Sequence, residues 1–366
     1  AHDKGLLFMG PDCGTGIISG IPIAFTNVVK PGNIGIVGAS GTGIQEVTAI
    51  IDRLGGGVIH AIGTGGRDLG AITVKDAIVG LEHHDPTDVI VVISKPPAKE
   101  VRDEVVALLQ KCTKPVVAIF LGEKPENHEG KVYLAHTLEE TARMAVDLAN
   151  GDPIKDNYCD PIDYEVSRPL AADKTVKGLY SGGSLAAEAG MLIAEALNLG
   201  GLIKEEGYIL KTGGYEVVDL GDDVYTQGKP HPMIDPEVRI KKILECAKDP
   251  QTGVILLDCM LGYGCHPDMA GALAPAVREA QKIAKADGRE LYFVASVCGT
   301  RQDPQDYDRA VAELKECGVL VEESNARAIR LALKLKGIDY KENTRGHVEA
   351  AVDETPLPEP DEKIME

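Results

Sequence analysis

The chain has 366 residues, ample apolar content and a formal net charge of −19. That balance excludes nucleic acid and anionic membranes as partners, because both demand basic surface, and the length is enough for more than one core. No apolar run reaches the eighteen or so residues of a membrane span, and no signal peptide opens the chain, so a cytoplasmic protein is expected. The eight cysteines are scattered without a CxxC pair, which fits reduced structural thiols and no metal site.

Taken in order, Gly5 to Met9 reads as a buried strand that begins almost at residue 1, as expected of a fragment or mature piece that has lost an upstream domain. Residues 10–16 form a turn of small residues able to point N–H groups at an anion. A strand over 21–29 and a turn at Pro31-Gly32 lead to the strand Ile34 to Gly38. The small-residue cluster after it, Gly38, Ser40, Gly41, Thr42 and Gly43, turns the chain into a helix. The unpaired N–H groups and partial positive charge of a helix start there suit a phosphate-sized anion.

The alternation then becomes regular. Helices near 43–54, 73–82 and 98–111 separate strands at 58–62, 89–93 and 115–121. A polar loop at 122–131 precedes a short strand at 132–134, and Thr137 with Glu140 three residues on marks a helix start. This pattern predicts an α/β fold of flavodoxin type, with a doubly wound parallel sheet. Ligands collect at the carboxyl ends of such strands, so the loops at 38–43, 63–68, 94–97 and 122–131 are expected to share one crevice.

The second half repeats the first. Residues 176–180, the turn Ser181-Gly182-Gly183-Ser184 and a helix at 185–197 echo residues 34–54, the strands at 254–258 and 291–297 echo 89–93 and 115–121, and 323–330 echoes 137–144. The expected organisation is therefore two tandem flavodoxin-like units, 1–150 and 173–337, joined by a linker at 151–172 and followed by an acidic surface tail at 338–366. The second unit carries a long polar insertion at 203–238, whose Tyr225, Gln227, Lys229 and His231 are candidate binding or catalytic groups.

The openings at Gly10 to Thr15, Gly38 to Glu46, Gly65 to Leu69, Ser94 to Pro97 and Asp222 to Gly228, in this order, resemble the FdrA family of the succinyl-CoA synthetase (acyl-CoA synthetase) superfamily. The resemblance covers about residues 5–337. It implies that the two units correspond to ligase domains of α and β type, fused in one chain. It also implies a Rossmann-like CoA-binding domain upstream, through which CoA or a nucleotide would be bound. The activity implied is that of an oxamate carbamoyltransferase subunit in ureide or purine degradation, acting with partner subunits or as a homo-oligomer. The alternatives are an ADP-forming acyl-CoA synthetase and a non-catalytic scaffold.

Relatives in the superfamily relay phosphate through a histidine in a glycine-flanked loop, oriented by a glutamate after the preceding strand. Here that loop is 122–131, where His128 is a candidate phosphoacceptor against the alternative of an exposed loop histidine, and the glutamate position is held by Ser94-Lys95. A lysine there favours a bound oxyanion over a charged imidazole. The expected guest is thus a small anion such as an acyl or carbamoyl phosphate or a carboxylate. It would be held by Cys13, Gly38 to Gly43, Gly65, Gly66 and Arg67 of the first unit, and by Ser181 to Ser184 of the second, with the two helix starts facing a common guest. Lys95, His231 and His266 are the remaining catalytic candidates.

Overall fold

The computed structural model describes residues 9, 13–66, 68, 71–95, 97–200, 203, 205–341, 344–350 and 355–357. The chain folds as two compact units, one drawn from 1–159 with 342–366 and the other from 160–341.

The first unit contains β1 (Thr15–Ile18), β2 (Ile21–Ala24), β3 (Ile34–Gly38), α1 (Gly41–Arg53), β4 (Val58–Gly63), α2 (Ile72–His83), β5 (Val89–Ser94), α3 (Lys99–Leu109), β6 (Val116–Phe120), β7 (Asn127–Glu129), β8 (Val132–Ala135) and α4 (Leu138–Ala149). The second contains β9 (Thr175–Tyr180), α5 (Gly183–Leu197), β10 (Tyr208–Thr212), β11 (Tyr215–Asp219), α6 (Asp223–Thr226), α7 (Glu237–Lys248), β12 (Thr252–Met260), α8 (Met269–Ala286), β13 (Tyr292–Cys298), α9 (Tyr307–Glu316), β14 (Val319–Glu322) and α10 (Asn325–Leu335). A last strand, β15 (Gly346–Val348), belongs to the first unit.

Both sheets share one plan. In the first the strand order is β15-β7-β8-β6-β5-β3-β4-β1-β2, and in the second β10-β11-β9-β12-β13-β14. Numbered among themselves, the parallel strands β4-β3-β5-β6-β8 and β11-β9-β12-β13-β14 each run 2-1-3-4-5, the flavodoxin order. The winding reverses between β3 and β5 in one unit and between β9 and β12 in the other, which leaves a crevice at those carboxyl ends. Every residue of β3, β9 and β12 is buried, because helices cover both faces of the sheet.

Four sequence expectations change. Residues 1–8 and 10–12 lie outside the described residues, and the strand expected over 21–29 is instead a hairpin, β1 with β2, turned at Ser19 and Gly20, both with positive φ. The stretch 203–238 is no mere inserted loop. It supplies the β10–β11 hairpin, turned at Gly213 and Gly214, and β11 is the second strand of the parallel set. Its alternating apolar residues are few and its edge half exposed, which hid the strand. The polar loop at 122–131 holds β7, and the expected surface tail holds β15, which pairs with β7 in parallel.

That return of the chain is fixed by charge as well as by the ladder. Arg345, its side chain almost wholly buried, donates to Glu140, which is equally buried. Glu140 at the same time accepts from the backbone N–H of His136 at 2.7 Å, while its own N–H donates to Thr137 at 3.2 Å, so the expected helix start at Thr137 is anchored to the returning strand. Burial pulls the Arg345 pKa down to about 10. Arg345→Met leaves the Glu140 carboxylate buried without its cation. It is expected to destabilise the first unit by about 3–5 kcal/mol, read as a lower midpoint of the first transition in urea.

Candidate functional site

In the first unit the helix start after β3 is built as the sequence suggested. Ser40 is buried and caps α1, its Oγ accepting from Gly43 N at 3.0 Å. The glycines around it are required by close approach. A Cβ on Gly43 would lie 2.3 Å from Ser40 Oγ, and one on Gly38 would lie 2.9 Å from the carbonyl oxygen of Ile93. One on Gly41 would meet Thr15 Oγ1 at 2.9 Å, and one on Gly63, at the end of β4, would meet Cys13 Sγ at 2.9 Å. Cys13 and Thr15 are thereby brought against the end of β4 and the first turn of α1. Ser40 is thus a cap whose oxygen is already engaged, rather than a side chain held open for a guest.

The loop after β5 completes this end of the sheet. Lys95 is exposed and reaches across to the loop after β4, its Nζ only 3.2 Å from where a Cβ on Gly66 would stand. Among the described residues no carboxylate pairs with it. Gly65 takes a positive φ of 75°, so the turn at this point needs glycine. Arg67 lies outside the described residues. Asp68 is a cap, accepting from Ile72 N at 3.0 Å and Val74 N at 3.1 Å at the start of α2. Two further polar groups are buried here with no hydrogen-bond partner among the described residues: Thr64 Oγ1, at the end of β4, and Gln45 Nε2, one turn into α1. Gln45 stands on the same helix face as Gly41, and long helical side chains lean toward the N-terminus.

His128 does not belong to this crevice. It sits on β7, four strand positions from β3, which at about 4.8 Å per strand is about 19 Å away. Nor is it an exposed loop residue. It is 8% exposed, its Nδ1 accepts from Leu134 N at 3.0 Å, and its ring stands edge-on to Tyr133. Burial, helped by Arg345 and His347, pulls its pKa down to about 4. The candidate phosphoacceptor is therefore a neutral structural imidazole.

In the second unit the matching turn is filled from within. Asp258 is fully buried in β12, and its carboxylate accepts from Ser181 N at 2.9 Å, Gly182 N at 2.8 Å and Ser181 Oγ at 2.9 Å. Arg239 of α7, also fully buried, donates through Nη1 to the same carboxylate at 2.8 Å and to the Asp258 carbonyl. Asp219 closes the other side, its Oδ1 accepting from Gly221 N at 2.9 Å and its Oδ2 lying 2.5 Å from where a Cβ on Gly183 would be. The expectation that Ser181 and Gly182 offer their N–H groups to a substrate anion is corrected: those groups are spent on Asp258. Gly183 and Ser184 begin α5 beside Asp219, against the same acidic wall.

The histidines expected in this unit do come together. His231 accepts at Nδ1 from Met233 N at 3.2 Å, and Met233 O accepts from His266 N at 2.8 Å. His266 accepts at Nδ1 from Asp268 N at 3.0 Å, so in the neutral form both rings carry the proton on Nε2. His231 is held below its ordinary pKa mainly by burial, with Asp258 opposing and Arg239 assisting. Its Nε2 lies 2.5 Å from where a Cβ on Gly221 would be, beside Asp219 and the Ser181 carbonyl. Tyr225 is a packing residue: its ring lies against Gly207 and the hydrophobic core, and burial raises its pKa. Gln227 ends α6, and both it and Lys229 are exposed.

The groups that sequence reasoning missed are Asp258 as an internal anion, Arg239, Asp219 and Thr15. Asp258 had a signal, since a carboxylate within Val254 to Met260 must be buried and a buried carboxylate must have donors. Arg239 had none. Among the described residues no group of three or more His, Cys, Asp or Glu is arranged to hold a metal ion, and no helix is long and apolar enough to cross a membrane.

Comparison with known proteins assigns the class. The CoA-ligase family model matches residues 179–335, and the CoA binding domain model matches residues 29–122. The chain thus has a CoA-binding and a CoA-ligase domain. It belongs to the family of the uncharacterized protein YahF of Escherichia coli, with 41% identity over 353 residues, covering 91% of this chain and 67% of that protein. A probable ATP-citrate synthase of Caenorhabditis elegans is 27% identical over 181 residues, 44% of this chain and 16% of that one. Among solved structures, PH0766 from Pyrococcus horikoshii aligns with 16% identity and a TM-score of 0.32, covering 92% of this chain and 71% of its own. The CoA-binding match falls within the first unit.

The state of His128 can be tested through stability. A neutral native ring with a pKa of about 4 against 6.5 unfolded takes up its proton less readily than the unfolded chain. Its contribution is complete above pH 6.5 and is lost as pH falls toward 4. Between those limits the wild-type denaturation midpoint is expected to fall more steeply than that of His128→Gln; parallel curves would refute the assignment.

Proposed function

We propose that the chain is an enzyme of FdrA type that moves a small acyl or carbamoyl group at the phosphate-activated level, as an oxamate carbamoyltransferase subunit in ureide or purine degradation, and that the α1 terminus of the first unit receives the oxyanion. The observation that carries this reading is Lys95. It is an exposed ammonium without a carboxylate partner among the described residues, beside a helix start whose flanking strand residue is the apolar Ile93. A phosphate or acyl phosphate there gains a charge-assisted contact and the favourable end of the helix dipole, together worth about 2–4 kcal/mol. The same groups stabilise the negative charge that develops when phosphate and an amide nitrogen exchange the carbamoyl group. Gln45 and Thr64, buried and without partners among the described residues, supply polar groups near the same terminus.

This reading needs no phosphorylated His128, which is neutral, engaged at Nδ1 and on a strand four positions from β3 and three from β5. A second reading, thioester formation with CoA by an acid-thiol ligase, is favoured by the two domain matches. The phosphate-level intermediate would occupy the same place and the thiol of CoA would be the acceptor.

Calorimetric titration of the whole chain with carbamoyl phosphate, oxamate, CoA and ATP, each alone, separates the two. Carbamoyl phosphate is expected to bind, with Lys95→Ala weakening it by roughly 10–100-fold, the loss of a hydrogen bond to a charged group. Heat from CoA would favour the ligase. Transfer of phosphate from ATP to the wild-type chain, abolished in His128→Gln, would overturn the reading.

A further inference from the structure

The two units apply one backbone plan to opposite electrostatics. Strand register makes the correspondence direct. Gly38 pairs with Ile93 and Gly63 in the first unit, and Tyr180 pairs with Asp219 in the second, while the ladder ending at Leu179 and Leu257 puts Asp258 opposite Tyr180. In both units the helix begins three residues after that reference position, at Gly41 and Gly183. The residues flanking the first helix start are therefore Ile93 and Gly63, both uncharged, and those flanking the second are Asp258 and Asp219.

We propose that Asp258, backed by Asp219, is a specificity-determining residue: its carboxylate is the resident anion of the α5 terminus, so the second unit accepts no substrate oxyanion there and the chain has one oxyanion position, at α1. The second half of this statement rests on the function proposed above; the first does not.

The argument is one of competition. Asp258 takes the N–H groups of Ser181 and Gly182, the two residues just ahead of the α5 start, together with the Ser181 hydroxyl and Arg239, and is fully buried while doing so. An incoming phosphate would have to displace a carboxylate that is part of the strand. A group held in place by the fold competes at an effective concentration far above any millimolar ligand. Displaced, Asp258 would remain within contact of the newcomer, like charge against like charge, with Asp219 adding a second. Arg239 binds Asp258 through Nη1 alone, and its Nε and Nη2 are buried without hydrogen-bond partners among the described residues. Unequal flanks thus turn a duplicated anion site into one open site and one closed one.

The test uses the full chain and inorganic phosphate. In the wild type, backbone amide resonances of Gly41 and Thr42 are expected to shift on titration while those of their register equivalents Gly183 and Ser184 stay fixed, with one phosphate bound per chain by equilibrium dialysis. In Asp219→Asn/Asp258→Asn the Gly183 and Ser184 amides are expected to respond and the stoichiometry to rise to two. Phosphate-dependent shifts at Gly183 and Ser184 in the wild type would overturn the proposal, and this readout does not require the variant to fold. A folded double variant that binds no more phosphate than wild type would overturn it as well. Silence at Gly41 and Thr42, with Gly183 and Ser184 also fixed, would overturn the α1 position and the function built on it while upholding closure of the second unit.

Discussion

A carboxylate taken out of water must be surrounded by donors, and in this protein that requirement is met at Asp258 by Arg239 and by the N–H groups of the turn that leads into α5. Once the strand carries Asp258, the turn at Ser181 and Gly182 has its conformation fixed by the molecule itself. Arg239 must then be buried on α7 to balance the charge, and α7 is held against β9 and β12 by that pair as well as by its apolar face. In the first unit Ile93 makes no such demand. The α1 start keeps a neutral apolar neighbour, and its electrostatics are set by the exposed Lys95 instead.

The topology makes this contrast possible. A parallel sheet that reverses its winding between the first and third strands leaves the loops of both strands with no crossover helix above them. Everything polar that matters in the first unit stands at that place: Ser40 and Gly43 after β3, Gly63 to Gly66 after β4, Lys95 after β5, and Cys13 and Thr15 brought in by the antiparallel β1. The glycines there are explained by distance. Backbone and side-chain atoms come within 3 Å of the positions that Cβ atoms would take at Gly38, Gly41, Gly43 and Gly63.

Much of this was legible in the residues. The alternation of Ile- and Val-rich runs with helical periodicity gave the parallel cores, the Thr137 cap announced its helix, and the repeat of 34–54 at 176–197 exposed the two units, while Ser40 read as a ligand group and proved to be a cap. What stayed hidden depends on distant parts of the chain. β11 is short and half exposed, and only its ladder with β9 makes it a core strand. β15 consists of three exposed residues that no periodicity could flag, and its place is decided by Arg345 reaching Glu140 some two hundred residues earlier. His128 looked like a loop histidine because the strand that buries it lies at the far end of the sequence.

Duplication explains why equal turns need not do equal work. Two copies of a strand–turn–helix element start with the same row of N–H groups, and what each can hold is decided by the residues on the strands beside it. Replacing an apolar residue by an aspartate at one register position does more than remove a site. It supplies the missing anion, preserves the helix start without a ligand, and so uncouples the stability of that unit from substrate. The unit left with Ile93 has no carboxylate of its own at that register position. A ligand-dependent gain in stability should therefore belong to the first unit and not to the second, because binding stabilises the unit that takes up the ligand, and the second unit already carries its anion.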